Sequence, residues 1–514
     1  MKYLLSLILT YFTFCGFSQV HHVSINKDKN NPNEPTIAIN PINSGDVVAA
    51  SNIDNIYTSR DSGKTWRYTK ASSKYGVYGD PVLDYSSGAL FYAHLSKTPN
   101  KEYGAWFDRI VVQQILNLDP WQEKSYSVGY NNNKMQDKPW LSTDIVSEKS
   151  KGNVYVTWTE FDKYNSSAIE DRSRIRFSRY TPKTDTFSEG ITISDTTGDC
   201  LDGDNTLEGA TTAIGKNGDI YAVWAGHNKI WFDKSFDGGV SWNKDIEIAE
   251  QTKGWEMEMP NIFRANGMPF IQCDTERNII YVCWADEFEG NADIWLKYSK
   301  DQGRSWSKRV RLNKDSTASH QYFPNMAINK ATGEILVAFY DQRHSSLNVF
   351  YDIYLASFSV DSNLKNYRIT QKSIPLPGAD YFYGDYVDLD IQNNLLAVVY
   401  PTFSLDNSSD IEVALVYNFP SQYVNPTTKV NGINVLKNKD SSFVYINEQY
   451  PYSLKLKVKS GKLFGVKKKV IRIKKEDVQK DRDLQIGTFP FTSYYKLKYT
   501  LINLDNKQKF KHKF

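Results

Sequence analysis

Seven times along the chain, a Gly or Asn turn is followed by a strand rich in β-branched and aromatic residues. The copies read GDVVAASN from Gly45, GALFYAHL from Gly88, GNVYVTWTE from Gly152, GDIYAVWAG from Gly218, NIIYVCWADE from Asn278, GEILVAFYD from Gly333 and NNLLAVVYP from Asn393. They recur every 43 to 66 residues. A unit this short cannot bury its own apolar strand, so it must stack on copies of itself. Each copy is preceded by a shorter strand (PTIAIN, PVLDY, PWLST, ATTAI, PFIQC, PNMAI, YVDLDI) and followed by another (NIYTS, RIVVQQ, RIRFSR, KIWFDK, DIWLKY, DIYLAS, DIEVALVY). A fourth strand after a turn completes the unit. Four antiparallel strands repeated about seven times predict an all-β chain, a β-propeller of four-stranded blades. Seven blades are expected, with six plus an irregular pair as the competing count. Residues 21–25 (HHVSI) are expected to complete the last blade and close the ring.

The turn before the fourth strand carries the second repeat. It reads S-x-D-x-G-x-[ST]-W at Ser59–Trp66, Ser235–Trp242 and Ser299–Trp306, and it is degenerate at 116–121, 181–187 and 359–367. Asp61, Asp237 and Asp301 can accept backbone N–H bonds across a tight turn. The Gly can take positive φ, and Trp66, Trp242 and Trp306 can pack between blades. These residues are expected to be structural.

Charge divides the 514 residues in two. Residues 421–514 hold 21 Lys and Arg against 7 Asp and Glu, a net +14, which leaves −11 for residues 1–420. In the basic segment, SLKLKVKSGKLFGVKKKVIRIKK alternates apolar residues with Lys. That period of two predicts a small β module with one basic face, either a solvated edge or a contact for an anionic glycan or cell surface. At the other end, MKYLLSLILTYFTFCGFSQ has one Lys, a short apolar run and small residues at Gly16 and Ser18. It reads as a secretory signal, so residues 1–19 are expected to be removed and the protein exported. Residues 20–420 then form the propeller and 421–514 the basic module. No other stretch is long and apolar enough to cross a membrane as a helix. Three cysteines remain, Cys200, Cys273 and Cys283; Cys273 and Cys283 flank a hairpin out of register for direct pairing.

Antiparallel topology sorts the loops between two faces. The start of each short strand and the end of each central strand share a face opposite the boxed turns. Glu34, Asp80, Asp137, Lys138, Glu208, Arg264, Tyr322, Tyr383 and Asp385 precede the short strands. Asn52, His94, Glu160, His227, Asp286 and the Asp341-x-Arg343 pair follow the central ones, and Arg109 opens a third strand on the same face. Close carboxylates raise one another's pKa, as acid catalysis requires, and arginines can grip a ligand carboxylate or sulfate. The competing reading is a ring of ion pairs between blades. Asp199, Asp202, Asp204 and Glu208 have the character of a calcium loop, but the match is loose and an Asp-rich turn is the preferred reading. No other cofactor is indicated: the histidines show no metal-binding spacing, and no phosphate-cradling Gly loop or G-x-S-x-G elbow is present.

The boxed turns resemble the Asp-box (BNR) repeats of the sialidase superfamily. The stretches NEPTIAINP, QDKPW, YVTWTEFDKY, DGDNTLEGA, FRANGMP and YGDY resemble exported bacterial sialidase-like propellers, over roughly residues 30–420. The resemblance implies an arginine triad around a sugar carboxylate, a Tyr nucleophile with a Glu partner, and an Asp acid. By face and residue type these roles fall to Arg109, Arg264 and Arg343, to Tyr383 with Glu208, and to Asp137. Asp341, His94 and Asp385 would line the same site. The expected function is that of an exo-glycosidase on acidic sugars. A non-catalytic carbohydrate- or protein-binding propeller is the alternative. A polysaccharide lyase is a third reading, in which His94 and Arg109 would matter most. A glycan is the expected partner, and no nucleic acid is.

Overall fold

The computed structural model describes residues 20–417, apart from 27–31, 100–106, 346, 361–362, 378–380 and 405–406. It also describes residue 419 and the backbone of six strands between 433 and 513. The signal-sequence expectation for 1–19 lies outside these residues. Two compact units divide the chain, one spanning Ser18–Ser421 and the other holding Gln422–Phe514. Among the described residues no helix is long and apolar enough to cross a membrane.

The first unit is a seven-bladed propeller. Blade 1 is built from Thr36–Ile39, Val47–Ser51, Asn55–Ser59 and Arg67–Lys70, hydrogen-bonded in that order from the axis outward. Blades 2 to 6 repeat the order over 82–128, 135–192, 208–250, 270–311 and 321–375. Blade 7 takes three strands from 388–416, and its outermost strand is Val20–Ser24 from the other end of the chain. Val20 pairs with Val416 and Ser24 with Glu412, so the N-terminal strand closes the ring as its sequence suggested.

Alternation explains how a blade buries both faces. In blade 1, Ile37, Ile39, Val47 and Ala49 pack against Leu395, Ala397 and Val413 of blade 7. The intervening Ala38, Val48 and Ala50 pack against Leu83, Leu90 and Tyr92 of blade 2. Central strands are therefore buried end to end, as in Val154–Phe161 and Ile279–Asp286. That is why they read as predominantly apolar runs, in which even the alternates Thr157 and Thr159 are buried. The innermost edges would otherwise expose unpaired backbone groups. Side chains of neighbouring blades cover them: Asp388 Oδ2 accepts from Ile37 N at 2.9 Å, Asp390 Oδ2 from Ile39 N at 2.8 Å, and Thr211 donates to Pro269 O at 3.0 Å.

The boxed turns lock successive blades. Asp301 Oδ1 accepts from Ser299 Oγ at 2.8 Å and from Ser305 N at 2.9 Å, while Gly303 N donates to Ser299 Oγ at 2.8 Å. Asp61 and Asp237 repeat these bonds in blades 1 and 4. Gly303 takes φ +77° and lies flat on Phe232 of the preceding blade, where a Cβ would come within 2.4 Å of the ring. Gly239 lies likewise on Phe177, and Gly63 on Leu415. Trp306 and Trp242 meet the same two phenylalanines edge-on, at 5.2 and 5.1 Å. Trp66 donates to Gly63 O at 2.8 Å. Arg60, inside the first box, pairs with Asp46 at 3.0 Å.

In the second unit, strands 452–461, 466–473, 495–503 and 509–513 form a four-stranded antiparallel sheet, and 433–437 pairs with 442–446.

Candidate functional site

One local device, repeated around the axis, builds the mouth of the channel. Glu34, Asp80, Lys138 and Phe323 all have positive φ, between 45° and 50°, and each is followed by proline. A left-handed residue before a proline cannot continue the ladder, because proline offers no N–H. The pairing slips at these points: the register shifts between Asp137 and Trp140, and between Tyr322 and Asn325. Blade 4 makes the same shift between Glu208 and Thr211, with Gly209 at φ +67°. Such bulges re-aim side chains beside functional sites. In blade 7, Gly384 takes φ +106°, and a Cβ there would meet Glu34 Cγ at 2.8 Å. Glycine at 384 therefore lets blade 7 touch blade 1.

The kinks, together with loops between the strands, bring six carboxyl groups around two cations. Lys138 Nζ donates to Asp385 Oδ2 at 2.6 Å. Arg264 grips Asp385 through Nε, at 3.2 Å, and through Nη2, and reaches Asp202 Oδ2 through Nη1 at 3.2 Å. Tyr164 also donates to Asp202 Oδ2, at 2.6 Å. Glu34 accepts from Asp385 N at 3.2 Å and from the Asn52 amide. Asn52 Oδ1 in turn accepts from Asp80 N at 2.9 Å, which ties blade 1 to blade 2. Glu208 is fully buried beside Asp202.

Two cations cannot neutralise six carboxylates, and the titration of the group follows. Burial, then the charges of Asp80 and Asp385, raise Glu34 well above the usual carboxylate range. Burial likewise raises Asp80. Asp137 is pushed up to about 7 by burial and then by Asp80. Glu208 is raised well above its ordinary value by burial and by the neighbouring Asp202. Asp385 is the exception: burial pushes it up, but Lys138 and Arg264 outweigh burial and hold it at about 2. The site therefore holds one fixed carboxylate, two fixed cations and several carboxyls that keep their protons toward neutral pH. Asp80, Asp137, Asp202 and Arg264 are partly exposed, so this chemistry is reachable from the mouth.

An outer ring surrounds this inner one, and there each charge is neutralised locally. Arg109 pairs with Asp108 at 2.9 Å and lies between the rings of Tyr75 and Tyr130, 4.0 and 4.4 Å from their centroids. Arg343 folds back onto Asp341 at 2.9 Å and lies over Tyr354. Glu160 pairs with Arg174 at 3.0 Å, and Asp286 with Arg309 at 3.2 Å. Of the three arginines assigned to a triad, Arg264 alone has contacts within the inner ring. His94 is fully buried in blade 2; its Nδ1 lies 3.0 Å from Leu95 O, and burial lowers its pKa to about 4. His227 Nε2 lies 3.2 Å from Thr197 O.

Tyr383 and Glu208 do not meet among the described contacts. Tyr383 is buried with Tyr322, Tyr340 and Tyr351, and its hydroxyl donates to Tyr322 at 3.2 Å. A hydroxyl that does meet one of the carboxyls is that of Tyr164, on Asp202, and sequence reasoning had not singled it out. Tyr164 lies on the loop between strands 154–161 and 173–181 of blade 3, and Asp202 on the connection between blades 3 and 4, where no strand period indicates the path. The aspartates around Asp202 diverge: Asp199 accepts from Thr206 at 2.8 Å and Asp204 from Glu256 N at 3.0 Å. Among the described residues no group of three or more His, Cys, Asp or Glu is arranged to hold a metal ion. Cys200, Cys273 and Cys283 are free thiols; Cys273 stands opposite Ile280, and Cys283 opposite Phe270.

No protein-family model matches the chain, and no curated protein does. Among solved structures, it is similar to an α-L-arabinanase of Penicillium chrysogenum complexed with arabinobiose, at 14% identity and a TM-score of 0.42, over 78% of this chain and 99% of that one. It is similar to the Hadza microbial sialidase Hz136, at 14% identity and 0.41, over 72% and 73% of the two chains. A third similarity is to a PL25 ulvan lyase, at 8% identity and 0.40, over 71% and 88%.

Proposed function

We propose that the chain is a glycan-active propeller that hydrolyses a terminal glycosidic bond at the mouth of its channel. The observation that carries this reading is the inner ring, where proton-holding carboxyls stand beside a carboxylate held ionised by Lys138 and Arg264. Glycosidic cleavage needs a proton delivered to the leaving oxygen. Asp137, partly exposed and with a pKa of about 7, suits that role near neutral pH. The opposite side of the sugar needs a nucleophile or a base. Tyr164 is the group suited to it: burial and Asp202 keep its hydroxyl protonated at rest, and Asp202, which accepts its hydrogen bond, would take the proton as the oxygen attacks. Arg264 would receive an acidic sugar: its side chain is 27% exposed, and Asp385 and Asp202 leave it N–H donors to spare. Phe382, 5.0 Å from the guanidinium, adds an aromatic wall.

The test is a substrate panel. Fluorogenic sialosides, other acidic exo-substrates and uronate polysaccharides are incubated with the purified protein, following released fluorophore and the absorbance of unsaturated product. Release of fluorophore, lost in Asp137→Asn, is the expected result. Unsaturated product instead would favour a lyase. Glycan binding without turnover on any substrate would overturn hydrolysis in favour of a binding propeller.

A further inference from the structure

The second unit carries a separate cluster of charge, and its register defines it. In the sheet formed by 452–461, 466–473, 495–503 and 509–513, directly opposed residues share a face. Lys455 stands opposite Arg472, and Lys459 opposite both Lys468 and Lys496. Lys457 stands opposite Lys498, which stands opposite Lys513. Lys509 and Lys511 fall on the same face, opposite Ile502 and Thr500. Ten basic residues thus share one face, and the four strands contain no Asp or Glu at all. The other face takes the apolar alternates, with Leu454 opposite Leu501 and Leu456 opposite Ile471, and carries Lys467 and Lys469 at one end.

Charges of one sign directly opposite each other destabilise a sheet. Here they repeat about every 7 Å along a strand and about every 5 Å across strands, over a length of about 20 Å. A few edge lysines would suffice against aggregation. Ten on one face without a single acid in the sheet exceed that need, and an extended polyanion is the counter-charge that fits such a grid. We infer that this face binds an anionic polysaccharide, a uronate or sulfated chain, and so holds polymeric substrate on the same molecule as the propeller. The choice of polysaccharide over other polyanions rests on the glycan-active reading of the propeller. The benefit is one of effective concentration: a chain held by one unit is presented repeatedly to the other.

The test uses the full-length protein on immobilised polygalacturonate and chondroitin sulfate, between 50 and 500 mM NaCl. Binding is expected, with affinity falling steeply as salt rises. Lys457→Gln with Lys459→Gln should weaken it about tenfold or more. Lys467→Gln with Lys469→Gln removes the same charge from the opposite face and should change it less than about threefold. Equal loss in both pairs would overturn a face-specific site and leave only non-specific attraction. Binding confined to anionic vesicles or to duplex DNA, tested in parallel, would overturn the polysaccharide assignment. Asp137→Asn should bind as the parent does. Retained binding with no turnover on any substrate would sink the propeller reading while leaving this one standing.

Discussion

Asp61, Asp237 and Asp301 on one face of the propeller and Asp80, Asp137 and Glu208 on the other are the same functional group in opposite states. In the boxes, hydrogen bonds from Thr65, Ser241 and Ser305 hold the aspartates at about 2. At the mouth, burial without matching donors pushes carboxyls up, Asp137 to about 7. The difference lies in the backbone. A boxed turn points successive N–H groups at its own carboxylate. The left-handed residue and proline at the mouth remove N–H groups and send side chains toward the axis. Donor supply makes the box carboxylates architectural, and donor scarcity makes the mouth carboxyls available for chemistry.

The largest effect expected from breaking this contrast is at Asp385, the mouth carboxylate gripped by both cations. Asp385→Asn leaves Lys138 and Arg264 without their shared anion, and removing one partner of a buried ion network costs about 3–5 kcal/mol. Chemical denaturation measures this; a loss below about 1 kcal/mol would mean that the cations find other partners among Glu34 and Asp202. Next is Asp137→Asn. It should lower turnover about 10²- to 10⁴-fold on a substrate with a poor leaving group. On a nitrophenyl-type substrate, whose leaving group needs no proton, the loss should be small. Its stability should equal or exceed the parent's, because an amide replaces a carboxyl that burial penalises. Third is Gly303→Ala, which must strain φ +77° and press on the Phe232 ring. A cost of about 2 kcal/mol is expected, with turnover per folded molecule unchanged. Reduced turnover there would mean that the two faces are coupled through the blades.

Much of the architecture was legible because propeller blades bury their central strands on both sides, so seven apolar runs stand out at nearly regular intervals. Strand direction alone also gave the face on which Glu34, Asp80, Asp137 and Asp385 lie. What the repeat could not convey is where a side chain turns once it reaches that face. Arg109 and Arg343 each have an aspartate one or two positions away, and both fold onto it instead of reaching the axis. Tyr383 is set among tyrosines, with left-handed Gly384 following it, and its hydroxyl meets Tyr322. Tyr164 arrives from a loop within blade 3 and Asp202 from the connection between blades 3 and 4, and neither belongs to a strand of the repeat. The contributions that sequence period could not supply are those of loops and of side chains that pair locally.

The smallest effect concerns pH, and it places both classes of carboxyl on one axis. A carboxyl raised in the folded state binds its proton more tightly there than when unfolded. Its contribution is fully present below the unfolded value near 4 and is lost as pH rises through about 7 for Asp137. A carboxyl lowered in the folded state does the reverse. Asp61 contributes above the unfolded value and loses that contribution as pH falls toward about 2. Asp137→Asn should therefore converge with the parent at pH 4 and gain relative stability progressively up to pH 7. Thr65→Val, which removes one donor to Asp61, should diverge from the parent above pH 4 and converge with it toward pH 2. Unfolding midpoints measured from pH 2 to pH 8 for the three proteins separate the two curves. If both variants shifted the midpoint by a constant amount at every pH, neither carboxyl would differ in titration between the folded and unfolded states, and the contrast between the faces would reduce to packing.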